Sequence, residues 1–211
     1  MLVLVRHGES VANAQGLLLG RLDAALTELG RAQAAAVPML LAAPIFELRS
    51  SPLSRARDTA DALGVDLPTL IDERWIEVDY GAYDGQPLRD IPAQVWQEWR
   101  SDPTFRPPGG ETLAEVDARV TAACQALFVA DGEGARRPDG DVLVVSHVTP
   151  IKAAVAWALG ADAGLSWRLH LNTASVTRIG WGVNGPVLHT FNQVATRVVD
   201  IGPRTTDSRG G

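Results

Sequence analysis

The sequence predicts an α/β fold of three layers, with a mostly parallel central sheet flanked by helices. Three observations carry that expectation. Two unbroken apolar runs, Leu2-Val3-Leu4-Val5 and Val142-Leu143-Val144-Val145, have the length and β-branched content of strands buried on both faces. Segments of helical composition alternate with strand candidates, giving three units in the order strand, polar loop, helix. Near the carboxyl end, Ala174 to Trp181 and Val187 to Phe191 alternate around a Gly182 to Gly185 turn, which supplies a hairpin at the sheet margin.

The elements follow in order. After the first strand, Thr27 offers an N-cap to a helix from Glu28 to about Ala43, interrupted by Pro38. Ile45 to Arg49 reads as a short strand. Ser50-Ser51-Pro52 then leads into a helix from Leu53 to Leu63, with Gly64 as its stop. The stretch from Asp66 to Pro108 is irregular, with a strand near Leu67 to Ile71, an acidic segment to Gly85 and a helix bearing Trp96. It reads as a cover over a site and not as core. Thr112-Leu113-Ala114-Glu115 has the spacing of a capping box and opens a helix reaching about Ala130. A charged loop from Asp131 to Asp141 precedes the Val142 strand, and Thr149-Pro150 starts a helix that stops at Gly160.

With 211 residues and 46% hydrophobic content, the chain is long enough to bury one sizeable core, and no linker divides it. A single domain over residues 1–201 is expected, with residues 202–211 a disordered tail. No run approaches the roughly 20 apolar residues of a membrane span, and the opening strand lacks a basic leader, so a soluble cytoplasmic protein is expected. A net charge of −6 weighs against nucleic acid or a membrane surface as partner. Cys124, the one cysteine, sits in a helical pattern and excludes an internal disulfide or a thiolate metal cluster. Lys152 is the only lysine among nineteen cationic side chains. An arginine excess suits phosphate or carboxylate recognition, although coding bias explains it more cheaply.

Chemistry concentrates at strand ends. The first apolar run delivers Arg6-His7-Gly8-Glu9-Ser10 and the later one Ser146-His147, so two of the four histidines directly follow strands, where a rigid scaffold holds a reactive loop. The segments Leu4 to Ser10 with Asn13, Leu26-Thr27-Glu28-Leu29-Gly30, Ser51 to Ala60, Glu77-Val78-Asp79-Tyr80-Gly81, Gly109-Gly110-Glu111-Thr112 and Val145-Ser146-His147 together resemble the histidine phosphatase superfamily, which includes the cofactor-dependent phosphoglycerate mutases.

The resemblance implies a phosphoglycerate mutase-like fold and a role for each matching residue. His7 corresponds to the nucleophile that becomes phosphohistidine, with the Gly8 carbonyl expected to fix its tautomer. Arg6, Arg55 and His147 correspond to the pocket that neutralises the phosphoryl oxygens. Glu77 corresponds to the acid that protonates the leaving oxygen and later activates water; Glu73 is the rival, but only Glu77 has a glycine four residues on, at Gly81. Asn13 and the backbone near Gly20 are expected to contact phosphate or substrate. Arg57 is expected on the helix surface, and His170 and His189 are read as structural. No metal and no cofactor are implied, and a homodimer is the assembly that family members often adopt.

One departure concerns Val148-Thr149, since members usually place glycine after the second histidine. Val148 is expected to keep a negative φ, with Thr149 presenting its N–H or hydroxyl to the pocket. Between Gly85 and Gly109, Arg89, Arg100 and Arg106 stand among Ile91, Trp96, Trp99 and Phe105, a fairly apolar wall that resembles the phosphatase branch. Hydrolysis of a small phosphomonoester is therefore expected, with mutase activity as the alternative within the fold. A metal-dependent hydrolase and a non-catalytic phosphate-binding module are the readings from other classes.

Overall fold

The computed structural model describes residues 1–129 and 140–195. The loop read from Asp131 to Asp141 falls almost wholly outside them. So do the tail and the domain boundary placed at residue 201.

Among the described residues, six strands form one sheet: β1 (Leu2–Arg6), β2 (Ile45–Ser50), β3 (Thr69–Ile71), β4 (Asp141–Ser146), β5 (Val176–Gly182) and β6 (Gly185–Gln193), in the spatial order β3-β2-β4-β1-β5-β6. The first four run parallel, and β5 and β6 close one margin as an antiparallel hairpin. The principal helices are α1 (Val11–Ala14), α2 (Glu28–Ala36), α3 (Ser54–Ala62), α4 (Ala93–Ser101), α5 (Leu113–Val129) and α6 (Val148–Leu159).

The continuous apolar runs are explained by position. β1 and β4 lie side by side inside the sheet, so both faces of each strand are covered. Leu2, Leu4, Val142 and Val144 point to the face packed by Val116 and Val120 of α5 and Ile151 and Ala154 of α6. Val3, Val5, Leu143 and Val145 point to the other face, against Ala56 and Ala60 of α3 and Val37. Cys124 is buried in the first of these clusters and hydrophobic in role.

Several expected boundaries move. The helix from Glu28 stops at Ala36 and passes into a 3-10 turn at Val37–Leu40, because Pro38 has no N–H to continue the ladder and its ring crowds the preceding turn. The last helix begins at Val148, ahead of Thr149-Pro150, with extended His147 as its N-cap. Ala174 is not in the strand; it takes a left-handed turn at φ 51°, its N–H donating to the His7 carbonyl at 3.1 Å, and β5 starts at Val176. The middle segment does more than cover the site, since Trp75 and Val78 belong to the main core. Ile91, Val95 and Trp99 of this segment join Leu18 in a small second core. The capping box at Thr112 forms in both directions, Glu115 N–H donating to the Thr112 hydroxyl at 3.1 Å and Thr112 N–H to the Glu115 carboxylate at 2.9 Å.

Candidate active site

Register brings the site together. Arg6 of β1 stands opposite Ser146 of β4, and Ser50 of β2 opposite Val145, so three parallel strands end level. His7 N–H donates to the Ser146 carbonyl and Ser51 N–H to the Val145 carbonyl, both at 3.0 Å, which continues the ladder one residue past the strands. The residues after these ends, His7, Ser51 and His147, therefore share one rim of the sheet.

His7 and His147 are buried with ring centroids 5.1 Å apart. His7 Nδ1 lies 2.7 Å from the Gly8 carbonyl, an oxygen that accepts only from a protonated Nδ1, so the lone pair resides on Nε2. Burial, then the charges of Arg6 and Arg55, hold the His7 pKa well below its ordinary value despite that hydrogen bond. His147 is likewise held neutral by burial, Arg55 and His7, and its Nε2 lies 2.7 Å from the Ser51 hydroxyl. Gly8 is needed for a reason other than the Nδ1 contact: a Cβ there would meet the Gly30 carbonyl oxygen at 2.2 Å, so the loop and the first turn of α2 touch through bare backbone.

Arg55, in the first turn of α3, is fully buried and donates to the Gly20 carbonyl at 2.6 Å and the Leu22 carbonyl at 3.0 Å. Arg6 donates to the Leu171 carbonyl at 2.5 Å, and burial lowers its pKa to about 10, which leaves it charged at neutral pH. Among the described residues, Nε of both arginines and Nδ1 of His147 are buried with no partner. Glu77, 4% exposed, accepts from Val78 N–H at 2.8 Å and from Thr149 N–H at 3.3 Å. Glu73 is exposed, and Glu111 is engaged by Arg119 at 2.8 Å and Arg21 at 3.2 Å, so neither rival is free at this rim.

The remaining expectations divide. Asn13 caps Ser10 through Oδ1, accepting from its N–H at 3.2 Å and its hydroxyl at 2.9 Å, an arrangement that does not use the Nδ2 donors. Gly20 gives its carbonyl to Arg55 and its N–H to Asp84 at 2.7 Å, so both backbone groups are already engaged. Val148 lies in helical backbone with negative φ, and Thr149 turns its N–H to Glu77. Arg57 is exposed, as is His170, 3.1 Å from Asn172 Oδ1. Among the described residues, no group of three or more His, Cys, Asp or Glu is placed to hold a metal ion.

Sequence reasoning gave no role to Ser51, Thr59 and Tyr80, although they lie in the matching segments, and did not single out Asp84. Thr59 accepts from Gly8 N–H at 3.0 Å and donates to the Arg55 carbonyl at 2.7 Å; its i, i+4 spacing from Arg55 was the available signal. Tyr80 is partly buried near Glu77, and burial raises its phenol pKa, keeping it neutral. Asp84 bridges the Gly20 and Leu22 N–H groups, and only the folded chain brings it there.

A mostly parallel sheet with buried, unpaired guanidinium nitrogens at its carboxyl edge defines an α/β protein with a candidate anion site. The chain belongs to the histidine phosphatase superfamily, branch 1, whose family model matches residues 2–194. It is 37% identical over 183 residues to a bifunctional protein of Mycobacterium tuberculosis, covering 83% of this chain but 49% of that protein. The chain thus spans about half the length of that relative. It is 33% identical over 208 residues to a 2,3-bisphosphoglycerate-dependent phosphoglycerate mutase of Mesorhizobium japonicum, covering 92% of this chain and 94% of that protein. A solved mycobacterial glucosyl-3-phosphoglycerate phosphatase in complex with VO3 superposes with a TM-score of 0.79 at 33% identity, covering 90% of this chain and 98% of that one. Among the described residues, no helix is long and apolar enough to cross a membrane.

Proposed function

We propose that this chain hydrolyses small phosphomonoesters through a phosphohistidine on His7. The observation that carries the proposal is the neutral, buried His7 with Nδ1 on the Gly8 carbonyl, which leaves a nucleophilic Nε2 among Arg6, Arg55 and His147. Nε2 attacks phosphorus, and the bond from phosphorus to the ester oxygen breaks as Glu77 gives that oxygen its proton. Water then attacks the phosphohistidine, Glu77 takes its proton, and cleavage of the P–N bond releases inorganic phosphate and restores His7. Arg6, Arg55 and His147 stabilise charge on the phosphoryl oxygens, for which their unpartnered buried nitrogens are suited. Gly20 acts by aiming Arg55, and Thr149 by holding Glu77; Asn13 offers Nδ2, and Val148 an apolar wall, to the organic half of the substrate.

The solved phosphatase relative supports hydrolysis, and the small, acidic, phosphate-handling character of the chain supports a free metabolite in the cytoplasm, not nucleic acid or membrane, as partner. A homodimer belongs to the same proposal. Mutase activity is the second reading, favoured by the Mesorhizobium relative. Against it, among the described residues Arg106 is tied to Glu115 at 2.5 Å, Arg89 lies beside Asp90, and Arg100 stands over the Trp167 ring at 5.5 Å, so each of the three cover arginines already has a partner.

The test is phosphate release from a panel of monoesters by the wild-type protein and by His7→Ala. Turnover and acid-labile protein-bound phosphate are both expected to disappear in the variant while the fold remains. Near-normal turnover by His7→Ala sinks the covalent mechanism. Isomerisation of a phosphoglycerate that outpaces phosphate release and depends on added bisphosphoglycerate replaces hydrolase by mutase.

A further inference from the structure

Lys152, the only lysine, lies one helical turn beyond Thr149 on α6, about 4.5 Å further along the axis and on the same face. With Tyr80, Val148, Thr149, Ser166 and Trp167 it lines a cavity of about 80 Å³. That cavity adjoins the proposed acid, because Thr149 N–H faces the Glu77 carboxylate. Nζ makes one hydrogen bond, to the Ser166 carbonyl at 2.9 Å, and no ion pair with the described residues. An ammonium has three donors, so two remain. Burial lowers its pKa, which the charge of Glu77 opposes and Arg6 reinforces. A half-buried cation with no direct ion pair beside a reactive site gains from an arriving anion.

We infer that Lys152 is a specificity-determining residue that binds a carboxylate on the organic half of the substrate, so that the site prefers phosphomonoesters carrying an acid group a few bonds from the ester oxygen. The inference rests on the hydrolase proposal above and narrows its substrate class. Size and charge select a carboxylate. A cavity of about 80 Å³ is far smaller than the roughly 300–1,000 Å³ that encloses a whole drug-sized ligand, so it takes a group of a few heavy atoms while the rest of the molecule stays outside. One ammonium with two donors left matches the single charge and two oxygens of a carboxylate. The aromatic walls Tyr80, Trp99 and Trp167 lower the local dielectric and strengthen the pair.

The alternative role for Lys152 is a tether that joins α6 to the 3-10 turn Ala163–Arg168 through Ser166. Two substrates with the same three-carbon skeleton separate the roles: 3-phosphoglycerate carries a carboxylate where glycerol 3-phosphate carries a hydroxymethyl group. The kcat and KM of each are measured for the wild-type protein, Lys152→Met and Lys152→Arg. The wild-type protein is expected to favour 3-phosphoglycerate, chiefly through KM. Lys152→Met is expected to reduce that preference on the order of 10- to 100-fold, the worth of one charge-assisted hydrogen bond, and Lys152→Arg to restore much of it. Equal losses on both substrates assign Lys152 to the tether and overturn the inference. So does a wild-type protein that hydrolyses both esters without preference, a result that stands even where Lys152→Met does not fold. A wild-type protein that hydrolyses neither these esters nor an aryl phosphate overturns the hydrolase proposal itself, and the inference with it.

Discussion

At the scale of single residues, the site is a problem of keeping two imidazoles uncharged beside two guanidinium groups. Burial does most of this, and the arginine charges add to it, so His7 and His147 stay neutral while Arg6 stays protonated. Glu77 differs from the other carboxylates of its segment in facing inward onto Thr149 N–H, whereas Glu73 points to solvent. A glutamine there keeps the shape and loses the transferable proton. Glu77→Gln is expected to slow hydrolysis of alkyl phosphates on the order of 10² to 10⁴-fold, and to slow an aryl phosphate far less, since a good leaving group needs little protonation. Parallel assays on one ester of each kind decide this, and equal losses would reassign the acid.

At the scale of elements, the helices do more than cover the sheet. The first turn of α2 lies against the loop after β1 so closely that a Cβ on Gly30 would stand 2.0 Å from the Glu9 carbonyl oxygen. Thr27 locks that turn from the other side, its hydroxyl accepting Gly30 N–H at 2.9 Å. The loop has no room to recede, because Gly8 N–H is held by Thr59 of α3. Gly30→Ala is therefore expected to destabilise the fold by about 1–3 kcal/mol, the usual cost of overpacking, and to lower turnover by displacing the carbonyl that orients His7. Urea unfolding together with steady-state kinetics measures both effects. Unchanged stability would mean that α2 slides away without cost.

For the whole molecule, the buried histidines tie stability to pH. In the unfolded chain each takes a proton near pH 6.5, while in the native protein each resists protonation to a much lower pH. Below pH 6.5 the unfolded state thus binds more protons, so the stability that these groups confer is complete above that pH and is lost progressively as the pH falls beneath it. Each histidine contributes up to about 1.4 kcal/mol per pH unit, opposed below about pH 6 by Asp117, whose carboxyl pKa burial raises to about 6, so that it takes its proton in the native protein first. Denaturant midpoints measured from pH 7.5 to 4.5 are expected to fall steeply below pH 6.5, and His147→Gln is expected to flatten the curve. A curve unchanged by that substitution would place the acid sensitivity elsewhere.

Much of this architecture was legible before folding, for reasons that are local. Unbroken Val and Leu runs mark β1 and β4 because strands covered on both faces have no need of alternation, and the Thr112 capping box or the stop at Gly64 depends on neighbours within a few residues. The six ordered segments that carry the family resemblance also put His7, Arg55, Glu77 and His147 on one short list. Other features depend on partners distant in the chain. The level ending of β1, β2 and β4 is a matter of register, the Gly8–Gly30 contact joins elements that the sequence separates, and Asp84 reaches Gly20 only through the folded cover. Lys152 shows the division most clearly: the sequence alone made it the one lysine of the chain, but only tertiary packing set it beside Thr149 and Ser166 in an apolar cavity, because the environment of a charge is fixed by what surrounds it in space and not by its neighbours along the backbone.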